Sequence, residues 1–165
     1  AYQTLLEVSR EVQAEGWSYN KEYHYDMTPD TNKQIPIANN ILQIDATRNA
    51  ANVQIDVVRR DGKLYDKANH TYEFANKVSC DIVWLLDWVD IPTPIADYIV
   101  SRAAAIVSSR LVGDSDQYTI LQQKEQFNRA MALEYECNQG DYTFFGHSGD
   151  TNTYNSYKPY NALYR

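Results

Sequence analysis

The stretch Thr93–Asn138 constrains this chain more than any other, because it reads as two helices joined by a very short corner. Thr93 is a good helix N-cap. Pro94 follows at the first helical position, where its missing N–H costs nothing. Ile95, Ile99, Ala103, Ile106 and Val107 recur at three- and four-residue steps and form one apolar stripe. Gly113-Asp114 stops this helix, and Asp114 or Ser115 can cap the next. Ile120, Lys124, Phe127, Met131 and Tyr135 then make a second stripe with one polar interruption. A corner this short permits only antiparallel neighbours. Two helices cannot bury both stripes alone, so a third partner is required, and the chain's start is the evident candidate.

That start, Ala1–Glu15, has Leu5, Val8 and Val12 on one helical face, with Arg10, Glu11 and Glu15 turned away. Gly16 is placed as its C-terminal stop, and Trp17 follows as an anchor. Between the two helical regions the pattern changes to short strands. Tyr19–Met27 alternates, with Tyr19, Tyr23, Tyr25 and Met27 on one face. Thr28-Pro29-Asp30 breaks it. Gln34–Ile37 and Ile41–Asp45 are strand-like, and Pro36 argues for a sheet edge. The clearest local signal is Val53–Arg60, Asp61-Gly62, Lys63–Asp66. Asp-Gly between strand-forming segments is a preferred two-residue hairpin turn, because Gly accepts positive φ. Thr71–Phe74 continues or pairs back on the sheet, and Ser79–Val89 reads as a buried strand ending at Asp90-Ile91-Pro92.

Segregated elements of this kind predict an α+β fold. The expected organisation is a helical bundle from residues 1–17 and 93–138, with an inserted antiparallel β-sheet over 18–92. An extended Tyr-rich C-terminal arm over 139–165 completes it. At 165 residues the whole is one structural domain, long enough for a real core. The arm has no stripe of either period. Tyr154, Tyr157, Tyr160 and Tyr164 fall at wide intervals around Pro159, which suits an extended segment that orders on a neighbouring surface or a frayed terminus.

Several function classes are disfavoured. A net charge of −7 argues against a surface that holds nucleic acid, since neutralising phosphates needs clustered Lys and Arg. No apolar run approaches the length of a membrane span, and no secretory leader pattern is visible. The chain begins without Met, already on a helical pattern, so removal of an upstream segment is expected. Cys80 and Cys137 are the only cysteines. They lack CxxC spacing and nearby His, and read as small buried hydrophobes rather than a disulfide or metal pair.

Gly146-His147-Ser148-Gly149-Asp150 suggests a serine nucleophile elbow. However, its second Gly comes one residue early, no strand and helix flank it, and His24, His70 and His147 all precede the Ser. His24 and His70 stand alone in strand-like segments, which disfavours zinc. Asn69-His70-Thr71 fits a glycosylation sequon by chance. No phosphate-cradling Gly-rich loop occurs. No catalytic, metal or cofactor residue is therefore assigned.

The candidate partner-binding residues are of two kinds. Arg59, Arg60 and Lys63 crowd the hairpin tip of an acidic protein. They are either solvated charges guarding a sheet edge or a dock for an acidic patch. Tyr154, Tyr157, Tyr160 and Tyr164 belong to the arm. The chain has 14 Tyr against 4 Phe and 3 Trp, and Tyr is enriched where protein surfaces meet.

Three stretches together resemble one family. They are Val8–Trp17 with Tyr19-Asn20; Asp61–Asp66 followed by Asn69–Phe74; and Asp90-Ile91-Pro92, the helical pair and Met131–Glu136 running into Gly140-Asp141-Tyr142. Their order and spacing are similar to those of tail tubular protein A, the head-to-tail adaptor of short-tailed, podovirus-type phages. The resemblance spans roughly residues 5 to 145. Family members usually carry a further helix and linker before the block at Val8, and their tails vary, so the arm is not covered. The resemblance implies a structural virion protein made in the host cytoplasm. It would form a ring of twelve copies between the portal protein and the tubular tail nozzle, with tail fibres attached around it. Duplex DNA would pass through the hole without specific binding. The alternative is a carbohydrate-binding or glycan-hydrolysing tail component, since Tyr and Trp stack on sugars and acids are plentiful.

Overall fold

The computed structural model describes residues 1–49, 55–111 and 113–140. It is an α+β fold. Helix α1 spans Tyr2–Gln13, α2 spans Thr93–Leu111 and α3 spans Ser115–Gln139. Between α1 and α2 lie strands β1 (Lys21–Met27), β2 (Ile41–Asn49), β3 (Val57–Arg60), β4 (Lys63–Asp66) and β5 (Val78–Trp84).

Helix α1 buries Val8 and Val12, with Leu5 packed at the margin. Its end is set by Gly16 at φ +78°, a conformation in which a side chain is strained. A Cβ there would also press on Val83 Cγ2 at 3.3 Å. Trp17 then turns back and donates its Nε1 proton to the Val12 carbonyl at 2.7 Å. Helix α2 begins at Thr93-Pro94 and buries Ile95, Ile99 and Ala103, while Ile106 and Val107 are only half-buried. At the corner Gly113 takes φ +67°, and the Asp114 carboxylate caps α3 by accepting from the Asp116 N–H at 3.0 Å.

The sheet is three-stranded, in the order β1-β5-β2, all antiparallel. The β3–β4 hairpin is separate, with Arg60 opposite Lys63 and Val57 opposite Asp66. Asp61 and Gly62 adopt φ +52° and +70°, positive at both central positions as the tight hairpin turn requires.

Three strand expectations are corrected. Gln34–Ile37 is not a strand but a single bridge, Pro36 to Lys63, flanked by Leu64 N–H to Ile35 O and Ile37 N–H to Gly62 O. Pro36 has no N–H with which to extend a ladder. Thr71–Phe74 likewise contributes one bridge, Asp66 to Thr71. The last strand stops at Trp84, and Trp88–Asp90 forms a 3₁₀ turn that leads into α2. In β1 the register shifts between Glu22 and Tyr25, where His24 takes φ +57°, so the regular alternation of its Tyr residues is interrupted.

Two apolar cores result. One lies under the sheet and hairpin (Ile35, Ile37, Leu64, Val78, Cys80, Ile82), the other among the helices (Val8, Val12, Trp17, Ile95, Tyr98, Ile99). Two buried amides join the sheet to α1. Asn20 donates to the Gln13 and Trp84 carbonyls at 2.9 and 2.8 Å and accepts from the Trp17 N–H at 2.9 Å. Gln13 donates to the Leu86 carbonyl at 3.1 Å and accepts from the Leu86 N–H at 2.8 Å. Both side chains are fully buried with their polar atoms paired, so the connection is specific as well as tight.

Candidate assembly surfaces

Helix α3 packs on α2 through Leu121, Glu125, Asn128 and Ala132, which lose exposure along it together with Tyr135 and Glu136. Ala132 is fully buried, and Asn128 donates to the Asp97 carbonyl at 3.1 Å. The row expected to pack, Ile120, Lys124, Phe127, Met131 and Tyr135, runs one residue earlier, and of it only Tyr135 is half-buried against the helical core. The row is therefore turned by about 100° around the helix. Ile120 is 67% exposed, Phe127 64% and Met131 43%. The chain's start does not cover them, because α1 lies on α2 instead. Covering three such side chains contributes about 1.5–3 kcal/mol each at full burial, less here because each is already partly shielded.

A second apolar surface lies along the other side of α2. Val100, Ala104, Val107 and Leu111 recur at helical spacing on its outer face, with Val100 48% and Leu111 75% exposed. Beside this face, Ala1, Tyr2 and Leu5 of α1 and Ala103, Ala104 and Val107 of α2 line an open apolar groove of about 270 Å³.

A polar lock holds the three helices in this arrangement. The buried Tyr98 hydroxyl accepts from Arg129 Nη1 at 2.7 Å and from Arg102 Nη1 at 3.1 Å. Arg102 Nη2 pairs with Glu11 at 3.0 Å, and Arg129 Nη2 lies 3.6 Å from Glu15. Farther along α3, the buried Glu136 carboxylate accepts from the Ser18 N–H and hydroxyl. Burial, and then the nearby Glu136 charge, raise the Tyr19 phenol above its ordinary value.

The hairpin-tip cations each have a contact inside the chain. Arg59 donates to the Ile41 carbonyl and to Asn39 Oδ1, both at 3.2 Å. The Arg60 guanidinium stacks 4.1 Å from the centre of the Tyr65 ring. Lys63 donates to Gln34 Oε1 at 2.7 Å. Tyr72 meets Tyr65 edge-on at 4.8 Å and donates to Asp61 at 3.0 Å. The tip is thus a pre-ordered cluster of Arg60, Tyr65, Tyr72 and Asp61, which charge counting along the sequence does not find. Tyr154, Tyr157, Tyr160 and Tyr164 lie outside the described residues, as does the motif at Gly146–Asp150.

Of the two cysteines, Cys80 is buried as expected, and burial with nearby Asp81, Asp45 and Asp26 pushes its thiol up to about 12. Cys137 is exposed, a correction that follows from α3 packing only one narrow face. Both are free thiols. Among the described residues no group of His, Cys, Asp and Glu could hold a metal ion, and no helix is long and apolar enough to cross a membrane.

Exposed apolar helix faces of this extent are features of a subunit that packs against other chains. Comparison of the sequence with protein families identifies the class: the family model of tail tubular proteins matches residues 1–142. The chain belongs to the tail tubular protein family and is a structural component of a phage tail. No curated protein sequence matches it.

Proposed function

We propose that this chain is the adaptor subunit at the head-to-tail junction of a short-tailed phage. It assembles as a ring of twelve copies between the portal protein and the tail nozzle. The observation that carries this reading is the exposed α3 row of Ile120, Phe127 and Met131 in a member of a tube-forming family. The described residues of this 19.0 kDa chain form helices and two small open sheets rather than a closed barrel, so a tube of such chains is built from copies. Closing a ring of copies needs head-to-tail contacts between two different faces. The family match lends no support to the carbohydrate-handling alternative.

The remaining roles follow from that placement. A net charge of −7 per copy gives a wall that repels duplex DNA on average, so the genome passes through without being held. The hairpin tip with Arg59, Arg60 and Lys63 docks the nozzle or a tail fibre. The arm carrying Tyr154, Tyr157, Tyr160 and Tyr164 docks the portal or a neighbouring copy. Synthesis is in the host cytoplasm, and the finished position is the virion.

The test is electron microscopy and mass measurement of the purified chain, alone and mixed with portal. Rings on the portal are the expected result. A chain that stays monomeric with portal, or a ring that binds duplex DNA at moderate salt, would count against the placement or the repelling wall respectively. Deleting Thr151–Arg165 is expected to leave rings with weakened attachment; monomers instead would make the arm a ring clasp. Arg60→Glu is expected to weaken nozzle or fibre attachment, and unchanged tail assembly would return the tip to a solvated edge.

A further inference from the structure

We infer that the joint between copies is a ridge of α3 from one chain seated in the α1–α2 groove of the next. This rests on the ring reading above and specifies its contact. The ridge is Ile120, Phe127 and Met131, and the groove is walled by Tyr2, Leu5 and Val107 over a floor containing Ala103 and Ala104.

Three observations select a second copy as the occupant. First, the two apolar surfaces sit on one chain but face different ways. The α3 row is turned away from α2, and the groove opens beside α1, away from the α2–α3 contact. Pairing like with like would bury ridge on ridge and leave both grooves open, whereas ridge into groove uses every such surface and repeats around a ring. Second, the apolar face of α2 that borders the groove, and that contributes Ala104 and Val107 to its lining, matches the ridge in length. Ile120 to Met131 and Val100 to Leu111 each cover eleven helical steps, about 17 Å at 1.5 Å per residue. Third, they match in relief, since Phe127 and Met131 protrude and Ala103 and Ala104 leave room for them.

With the ring axis taken along the bundle, symmetry sets the sense of the contact. Rotation about a ring axis along the bundle leaves α2 of the next copy parallel to α2 of the first. Within one chain α3 runs against α2, since Asn128 meets Asp97 while Tyr118 and Gln122 lie beside Ser109 and Arg110. The ridge therefore lies antiparallel to the α2 it meets. Lys124, in the middle of the ridge, lays its apolar stem along the joint and keeps its ammonium in water.

The experiment uses the full chain with Cys137→Ser, so that no exposed native thiol remains, assembled into rings alone or on portal. With Phe127→Cys and Ala104→Cys together in that chain, mild oxidation is expected to give a ladder of covalent multimers, and either substitution alone to give none. Covalent dimers from Phe127→Cys alone would overturn the inference in favour of ridge-on-ridge pairing. Rings that give no ladder would overturn the joint while leaving the ring reading intact. A parent chain that forms no ring under either condition would overturn both. Phe127→Glu provides a second measurement. It is expected to abolish rings while leaving the circular dichroism spectrum and the thermal midpoint of the monomer nearly unchanged, and rings from that variant would overturn the inference.

Discussion

The Glu136 carboxylate accepts the Ser18 backbone N–H on both oxygens, at 2.9 and 3.0 Å, and the Ser18 hydroxyl at 2.9 Å. This one contact ties the last turns of α3 to the segment between α1 and β1, across a sequence separation of 118 residues. It matters because the rest of α3 is held along one narrow face. Hydrogen bonds to a charged group contribute about 1.5–3 kcal/mol, and an orphaned buried donor costs a comparable amount. Glu136→Ala is therefore expected to destabilise the chain by about 2–3 kcal/mol, with Glu136→Gln recovering part of it. Denaturant unfolding followed by tryptophan fluorescence measures this. A loss below about 0.5 kcal/mol would show that α3 is held without the contact.

Tyr98→Phe is the corresponding test of the helical lock. It removes the oxygen shared by Arg102 and Arg129 while keeping the ring that fills the core. The expected cost is about 1–3 kcal/mol. In a double-mutant cycle with Arg129→Met the two changes should be clearly non-additive. Additive losses would mean that the arginines are held by Glu11 and Glu15 alone.

The cysteines give a rapid check on packing. Cys137 is exposed and Cys80 is buried with its thiol pushed up to about 12. A disulfide reagent at pH 8 is expected to modify one thiol quickly in the native monomer and the second only on unfolding. Cys137→Ser should remove the fast phase. Two fast thiols would contradict the burial of the sheet core.

The hairpin base should respond to acid. Burial alone would raise the Asp66 carboxyl. Hydrogen bonds from the Asn69 side chain and from the Asn69 and Ala68 backbone N–H groups outweigh it and hold the group below the usual carboxylate range. A pKa lowered on folding contributes stability above the unfolded value, about 3.9, which is lost as pH falls through the folded value. The stability difference between the parent and Asp66→Asn is thus expected to be constant near neutrality and to shrink below about pH 4. A difference independent of pH down to 2 would exclude the linkage.

Much of the fold was legible because it rests on local chemistry. Gly16 and Gly113 end helices through positive φ, Asp114 caps α3, and Asp61-Gly62 turns the hairpin, all from short-range rules. What failed was of two kinds, local backbone exceptions and partners distant in sequence. Pro36 reduced an expected strand to one bridge, His24 broke the alternation of β1, and the long apolar run after Ser79 ended at Trp84. Gln13, Asn20 and Glu136, polar residues that join the elements, gave no periodic signal, because their value lies in pairing with atoms that only folding brings near.

The amino-acid order alone determined the helical hairpin, the α1 stop, the tight turn and the α+β class, since each follows from backbone sterics and periodic apolar spacing. It also marked Ile120, Phe127 and Met131 as an apolar row. Only the tertiary structure decided which way that row faces. A helix rotates about its axis to satisfy the contacts on offer, and here Ala132, Asn128, Arg129 and Glu136 find better partners on α2 and Ser18 than the apolar row does.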